Sequence, residues 1–243
     1  MIPCQDMIFL DYNKKNHNQI INVCVKALKQ GKVVAYPTDT SYGLAVDATN
    51  VKAIKKLYKV KGRDFKKPIH IIPPSLAYAK RIVKWNKTAS KLAKKFWPGP
   101  LTLVLGLKAS AYEKKGFKLL SVNNGWLGLR MPKNKIALDL AKYLKRPITT
   151  TSANISDKPD CYSTNDIISQ FKNNKFKPDI IINFGKLAKR KPSTIVKINP
   201  SQPALMQRGG EKSPTFFQKR GSGGVLILRQ GPISKKQILK IVQ

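Results

Sequence analysis

Short runs rich in Val, Ile and Leu, too brief for helices and bounded by Pro, Gly or polar clusters, recur along this chain, and between them apolar residues return at helical spacing. This alternation constrains the fold more than any other feature. An all-helical bundle has no use for the short runs and an all-β sandwich has none for the stripes, so the chain reads as an α/β or α+β protein. Strands are expected at 32–36, 68–72, 101–107, 126–131, 147–151, 180–184, 194–198 and 225–229. Helices are expected at 18–28, 50–60 (capped by Asn50 and ended by Gly62), 76–83, 89–96, 135–144 and 235–242. Residues 37–43, Pro-Thr-Asp-Thr-Ser-Tyr-Gly, form a polar loop delivered by the first strand, a natural place for a binding site. Trp97-Pro98-Gly99-Pro100 is a rigid turn.

The length of 243 residues fits a single domain, 1–243, with its core at about 17–241. From 199 to 224 the composition shifts to Pro, Gly, Ser, Gln and basic residues without periodicity, which reads as a basic flexible insertion and a candidate flap over ATP or RNA. No apolar run approaches the roughly 20 residues of a membrane span, and the N-terminus has no secretory pattern, so a cytoplasmic protein is expected. Cys4, Cys24 and Cys161 are too few and too scattered for a disulfide framework or a zinc site. Cys24 lies on the apolar stripe of the first helix, where a buried, inert thiol is expected.

Lys and Arg number 47 against 12 Asp and Glu, a formal charge of +35. A field of this sign draws polyanions such as ATP and RNA without choosing between them. A bias toward Lys, Asn and Ile in coding composition accounts for many of the lysines equally well.

The segments GKVVAYPTDTSYGLAVDA, LYKVKGRDFKKPIHII, KKFWPGPLTLVL and RPITTTSANISDKP, with LGLRMP, KPSTIVKI and ILRQGPIS, resemble in content and order the YrdC-type threonylcarbamoyl-AMP synthase family, in its short, single-domain form. The resemblance implies a twisted mixed sheet with surrounding helices and a basic concave groove. It also implies an enzyme, a nucleotidyltransferase that makes L-threonylcarbamoyladenylate and pyrophosphate from ATP, L-threonine and bicarbonate or CO2 for threonylcarbamoyladenosine modification of tRNA. Mg²⁺ is expected to arrive with ATP, and tRNA or double-stranded RNA and a threonylcarbamoyl-transferase complex are expected partners.

Carried over by position, the ATP contacts are Lys61 and Arg63 of the KxR element, Thr102, Ser152 and Asn154 of the SxN element, and Arg229. Cationic groups offset phosphate charge, and short hydroxyl and amide groups bond phosphate or ribose without filling a pocket. The threonine contacts are Thr40, Arg130, Thr150 and Ser193, with Arg130 suited to gripping a carboxylate. No general base is named, because positioning and charge neutralisation can supply much of this chemistry, and Asp39, Asp47 and Asp64 are not spaced as a metal cage.

The chain departs from the family pattern in three places. Ile72 stands where many members have a histidine, with His70 two residues earlier on the same side of the strand and left out of the expected site. Ser156-Asp157 replaces Ser-Gly, and Arg229-Gln230-Gly231 replaces Arg-Pro-Gly. Two rivals are weighed against the synthase: a non-catalytic RNA-binding protein of the same fold, and a carbamoyl-phosphate-using relative, whose extra modules this chain lacks room for.

Overall fold

The structure is a computed structural model that describes residues 7–122, 125–199 and 224–242, together with the backbone of 215–217. Its strands are β1 (Ile8–Asp11), β2 (Val34–Pro37), β3 (Tyr42–Ala45), β4 (His70–Ile72), β5 (Leu101–Gly106), β6 (Trp126–Arg130), β7 (Ile148–Ser152), β8 (Ile180–Asn183), β9 (Thr194–Asn199), β10 (Thr215–Phe217) and β11 (Gly224–Arg229). The helices are α1 (His17–Lys29), α2 (Val51–Lys61), α3 (Leu76–Ile82), α4 (Lys87–Phe96), α5 (Ala109–Tyr112), α6 (Lys115–Leu120), α7 (Lys135–Leu144), α8 (Thr164–Phe171) and α9 (Lys235–Val242).

All the strands join one mixed sheet in the order β1-β8-β2-β3-β7-β4-β6-β5-β9-β11-β10. The pairs β1–β8, β2–β8, β4–β6 and β5–β9 are parallel and the others antiparallel. The expected mixed α/β class is therefore what the chain adopts.

Local chemistry explains the elements. Asn50 caps α2 by accepting from the Ala53 amide, and Gly62 ends it in the left-handed conformation, at φ 54°. The segment expected to be loop through Gly43 turns sooner: Tyr42–Ala45 is β3, which pairs back onto β2 as a hairpin. Within the stretch expected to be loop, 215–217 forms β10, antiparallel to β11; the remainder of that expected insertion, apart from its two ends, lies outside the described residues.

Two apolar layers sandwich the sheet. On one face, α1 and α7 bury Ile21, Leu28, Leu140 and Leu144 against Tyr36, Ile72, Ile148 and Ile182. Cys24 sits in this layer, fully buried as expected, and burial pushes its thiol up to about 12. On the other face, α2, α4, α6 and α9 pack on Leu44, Ile71, Leu103 and Val196. Outside the apolar contacts, α1 and α7 are joined by His17, whose Nε2 lies 2.8 Å from Asp139 Oδ2, with the Tyr12 hydroxyl 3.2 Å from its other ring nitrogen.

The second layer tolerates no added atom where α6 meets the segment before α2. A Cβ placed on Gly116 falls 2.6 Å from the Ala48 carbonyl oxygen, which is backbone and cannot swing aside. Alanine gains at most about 1 kcal/mol of helix propensity, whereas overpacking costs about 1–3 kcal/mol. Gly116→Ala is therefore expected to lower the denaturant midpoint without changing the slope of the transition.

Candidate active site

The cavity follows from sheet register. Ile72 and Ile148 are partners on β4 and β7, both fully buried beneath α1 and α7. Two residues along on the same face, the next partners are His70 and Thr150, and there the helices no longer cover the sheet. The row continues through Ser152 opposite Gly43, Arg130 opposite Thr102, and Ile195 opposite both Thr102 and Arg229. These residues line a cavity of about 380 Å³, within the range of small-molecule sites.

Eight of the residues expected from sequence line this cavity: Thr40, Arg63, Thr102, Arg130, Thr150, Ser152, Ser193 and Arg229. They are linked directly. Thr102 Oγ1 and Ser193 Oγ are 2.9 Å apart, and Arg229 donates to both the carbonyl and the hydroxyl of Ser193 at 3.0 and 3.2 Å. Arg130, buried, donates to Asp39 Oδ1 at 2.5 Å and to Thr40 Oγ1 at 3.2 Å. Its guanidinium is thus engaged with a carboxylate of the chain, an arrangement the sequence does not reveal. The pair still leaves Arg130 Nε and Asp39 Oδ2 without partners among the described residues.

Lys61 and Asn154 lie outside the cavity lining. Lys61 is 1% exposed, and its ammonium donates to the carbonyls of Ser152 and Asn154 at 2.6 and 2.7 Å and to Asn154 Oδ1 at 3.2 Å. Its own carbonyl accepts the Ser156 amide at 2.8 Å. Burial, with Arg63 adding to it, pushes the Lys61 ammonium down to about 7. Asn154 spends its side chain on Ser152, Lys61 and the Lys158 carbonyl. The two residues form a strut that pins the segment after β7 to the end of α2. In that segment Asp157 holds φ 66°, a conformation glycine adopts freely and aspartate tolerates, which accounts for the Ser156-Asp157 departure.

His70, left out of the expected site, lines the cavity, whereas Ile72 is in the core. Register decides this, because α1 and α7 cover position 72 and not 70. The His70 ring occupies room vacated by a missing side chain: a Cβ on Gly128 would fall 2.2 Å from His70 Cδ2. Burial, then Arg229, Arg130 and Arg63, push His70 down to about 3, so it is neutral at physiological pH. Asp160, which also lines the cavity, carried no signal in the sequence reading. Neither Arg63 nor Arg229 has a carboxylate partner at ion-pair distance among the described residues. Arg63 donates to the carbonyls of Lys67 and Pro68 instead. Among the described residues no group of three or more His, Cys, Asp or Glu is arranged to hold a metal ion.

A mixed α/β fold with an arginine-rich, hydroxyl-lined cavity on one sheet face is suited to small polar anions. Residues 26–209 match the family model Sua5_yciO_yrdC, described as telomere recombination. The chain is 32% identical over 199 residues to a putative threonylcarbamoyl-AMP synthase of Methanocaldococcus jannaschii, covering 82% of this chain and 90% of that one. It is also 32% identical over 204 residues to the threonylcarbamoyl-AMP synthase of Pyrococcus abyssi, covering 84% of this chain and 58% of that one. The solved structure of P. abyssi Sua5 complexed with L-threonine superposes with a TM-score of 0.69 at 32% identity, over 79% of this chain and 54% of that one. The chain belongs to the Sua5/YciO/YrdC family.

Two consequences are measurable. Lys61→Met strands buried carbonyls and is expected to cost about 2–5 kcal/mol of unfolding free energy, against about 1 kcal/mol or less for Arg63→Ala. Chemical denaturation of the two variants separates the strut from the cavity cation. Because the folded state holds His70 below its unfolded value, its contribution to stability is complete above the unfolded value near 6.5 and is lost as pH falls toward 3. Thermal unfolding of wild type between pH 7 and pH 4 is expected to show an acid-side loss that His70→Gln reduces.

Proposed function

We propose that this protein is a threonylcarbamoyl-AMP synthase, a nucleotidyltransferase that condenses L-threonine, bicarbonate or CO2 and ATP into L-threonylcarbamoyladenylate and pyrophosphate for tRNA modification. The observation that carries the reading is the pairing, in one cavity, of two arginines without carboxylate partners among the described residues and a ring of Thr and Ser hydroxyls, in a chain whose relatives include a synthase and a structure complexed with L-threonine. Arg63 and Arg229 are the cations for the triphosphate. Arg130 is the cation for the amino-acid carboxylate, and Thr40, Thr150 and Ser193 supply the hydroxyl partners that distinguish threonine from an analogue lacking them.

The chemistry asks mainly for positioning. Threonine's nitrogen acquires the carboxyl group, the resulting carboxylate attacks the α-phosphorus, and pyrophosphate departs. Arginine charge opposes the negative charge that builds on the phosphates along this path. Mg²⁺ belongs to the ATP phosphates in this reading, where it would neutralise charge on the leaving pyrophosphate. The product passes to a threonylcarbamoyl-transferase acting on tRNA in the cytoplasm. No helix among the described residues is long and apolar enough to cross a membrane.

The decisive assay is pyrophosphate release with ATP, threonine and bicarbonate, each omitted in turn. Release is expected only with all three, and Arg63→Ala is expected to raise the ATP KM at least tenfold, about 1.4 kcal/mol of lost binding. Absence of release from folded wild-type protein would favour a non-catalytic RNA-binding protein of the same fold.

A further inference from the structure

His70 has features that a wall residue does not need. Neither ring nitrogen has a hydrogen-bond partner among the described residues, while the ring is held by its strand on one side and by the bare backbone of Gly128 beneath it. The ring is half-buried and borders the cavity, so its unused hydrogen-bonding capacity is available to a ligand there. The other lining groups are poor proton acceptors at neutral pH: hydroxyls of Thr and Ser, and guanidiniums that do not deprotonate. Asp160 is the exception.

Resting on the synthase reading above, we propose that His70 is a further catalytic residue of this cavity, taking the proton that threonine's ammonium must lose, once ATP has laid its phosphates against Arg63 and Arg229. The step balances. The ammonium gives one proton to the imidazole and becomes an amine. The amine lone pair forms the C–N bond with the bicarbonate carbon as the C–OH bond breaks. The departing hydroxide takes a second proton from nitrogen and leaves as water, so the product is the N-carboxylate anion.

The electrostatics give the step an order. The charged groups around the ring are Arg63 from the loop after α2, Arg130 from β6, Arg229 from β11 and Asp160 from the segment after β7, with Asp39 behind Arg130. Tyr36 on β2 lies near Arg130 and Asp39, and burial pushes its hydroxyl up to about 12, so it stays neutral. In the free protein burial, and after it the three arginines, hold the imidazole unprotonated. A bound triphosphate cancels the arginine repulsion and so raises the ring's affinity for a proton. When the product phosphates leave, the arginines are bare again and the proton returns to solvent.

The chain has two histidines, which makes the test direct. The imidazole resonances of wild type are followed by NMR from pH 8 to pH 2.5, free and with a non-hydrolysable ATP analogue, with His70→Gln to assign the peak. The midpoint of His70 is expected to rise by about 1–3 pH units with the analogue bound. In the pyrophosphate assay His70→Gln is expected to lose about 10²-fold or more in kcat and the acid limb of the pH profile, with the ATP KM retained. A merely structural histidine would change stability and leave the pH profile alone. An unmoved His70 midpoint with the analogue visibly bound would overturn the proposal. So would wild-type kcat in His70→Gln, or loss of the acid limb in Asp160→Asn but not in His70→Gln. The wild-type assay stands apart from these: wild type that releases pyrophosphate with all three substrates keeps the synthase reading even when His70 fails, and wild type that does not removes both.

Discussion

Where α1 and α7 stop covering the sheet decides what this protein can do. On β4 and β7 the partners Ile72 and Ile148 are sealed under these helices, and the next same-face partners, His70 and Thr150, are open to the cavity. Side chains alternate strictly along a strand, so a single step in register would carry the polar row to the opposite face, into the layer built by α2, α4, α6 and α9. The apolar packing of α7 thus sets the position of every cavity group on these two strands. Gly128 has a complementary part, since a side chain there would occupy the room of the His70 ring.

Within that frame the positive charge is sorted rather than merely abundant. The chain's formal +35 comes largely from lysines, yet the cationic groups lining the cavity are arginines. The buried lysine of the KxR element is turned away and spent on three acceptors of the segment it anchors. A guanidinium holds its charge under partial burial better than an ammonium and meets phosphate with a rigid fork, whereas a compact ammonium suits three converging carbonyl-type oxygens. Arg130 is matched by Asp39, leaving Arg63 and Arg229 with no carboxylate at ion-pair distance among the described residues.

Much of this was legible in the sequence. The strands with continuous apolar runs and the helices with clear stripes fall where periodicity puts them, and eight expected site residues converge on one cavity. The misses have physical causes. Tyr42–Ala45 follows turn residues so closely that it reads as loop, although its pairing with β2 makes it a strand. The helix α8 carried a usable signal in the capping box of Ser163 and Asp166, but is short, lies in a polar stretch and buries only Ile167 and Phe171. His70 and Ile72 share a strand face, so alternation alone does not say which of them a helix covers. The strut role of Lys61 depends on the path of the chain after β7, which no local pattern encodes.

The sequence divides the site residues into an ATP set and a threonine set, and the geometry joins them. Arg229 and Thr102, assigned to the nucleotide, both contact Ser193, assigned to threonine, and Thr102 stands opposite Arg130 across β5 and β6. Residues in one hydrogen-bonded array do not act independently, so a ligand that orders Arg229 also orders Ser193. The coupling is reciprocal for binding: whatever affinity threonine gains from bound nucleotide, nucleotide gains from bound threonine. In the synthase reading proposed above, a site that links its two substrate sets this closely would select for the state in which both are present, from which an unstable N-carboxylated amino acid can be passed directly to the α-phosphorus.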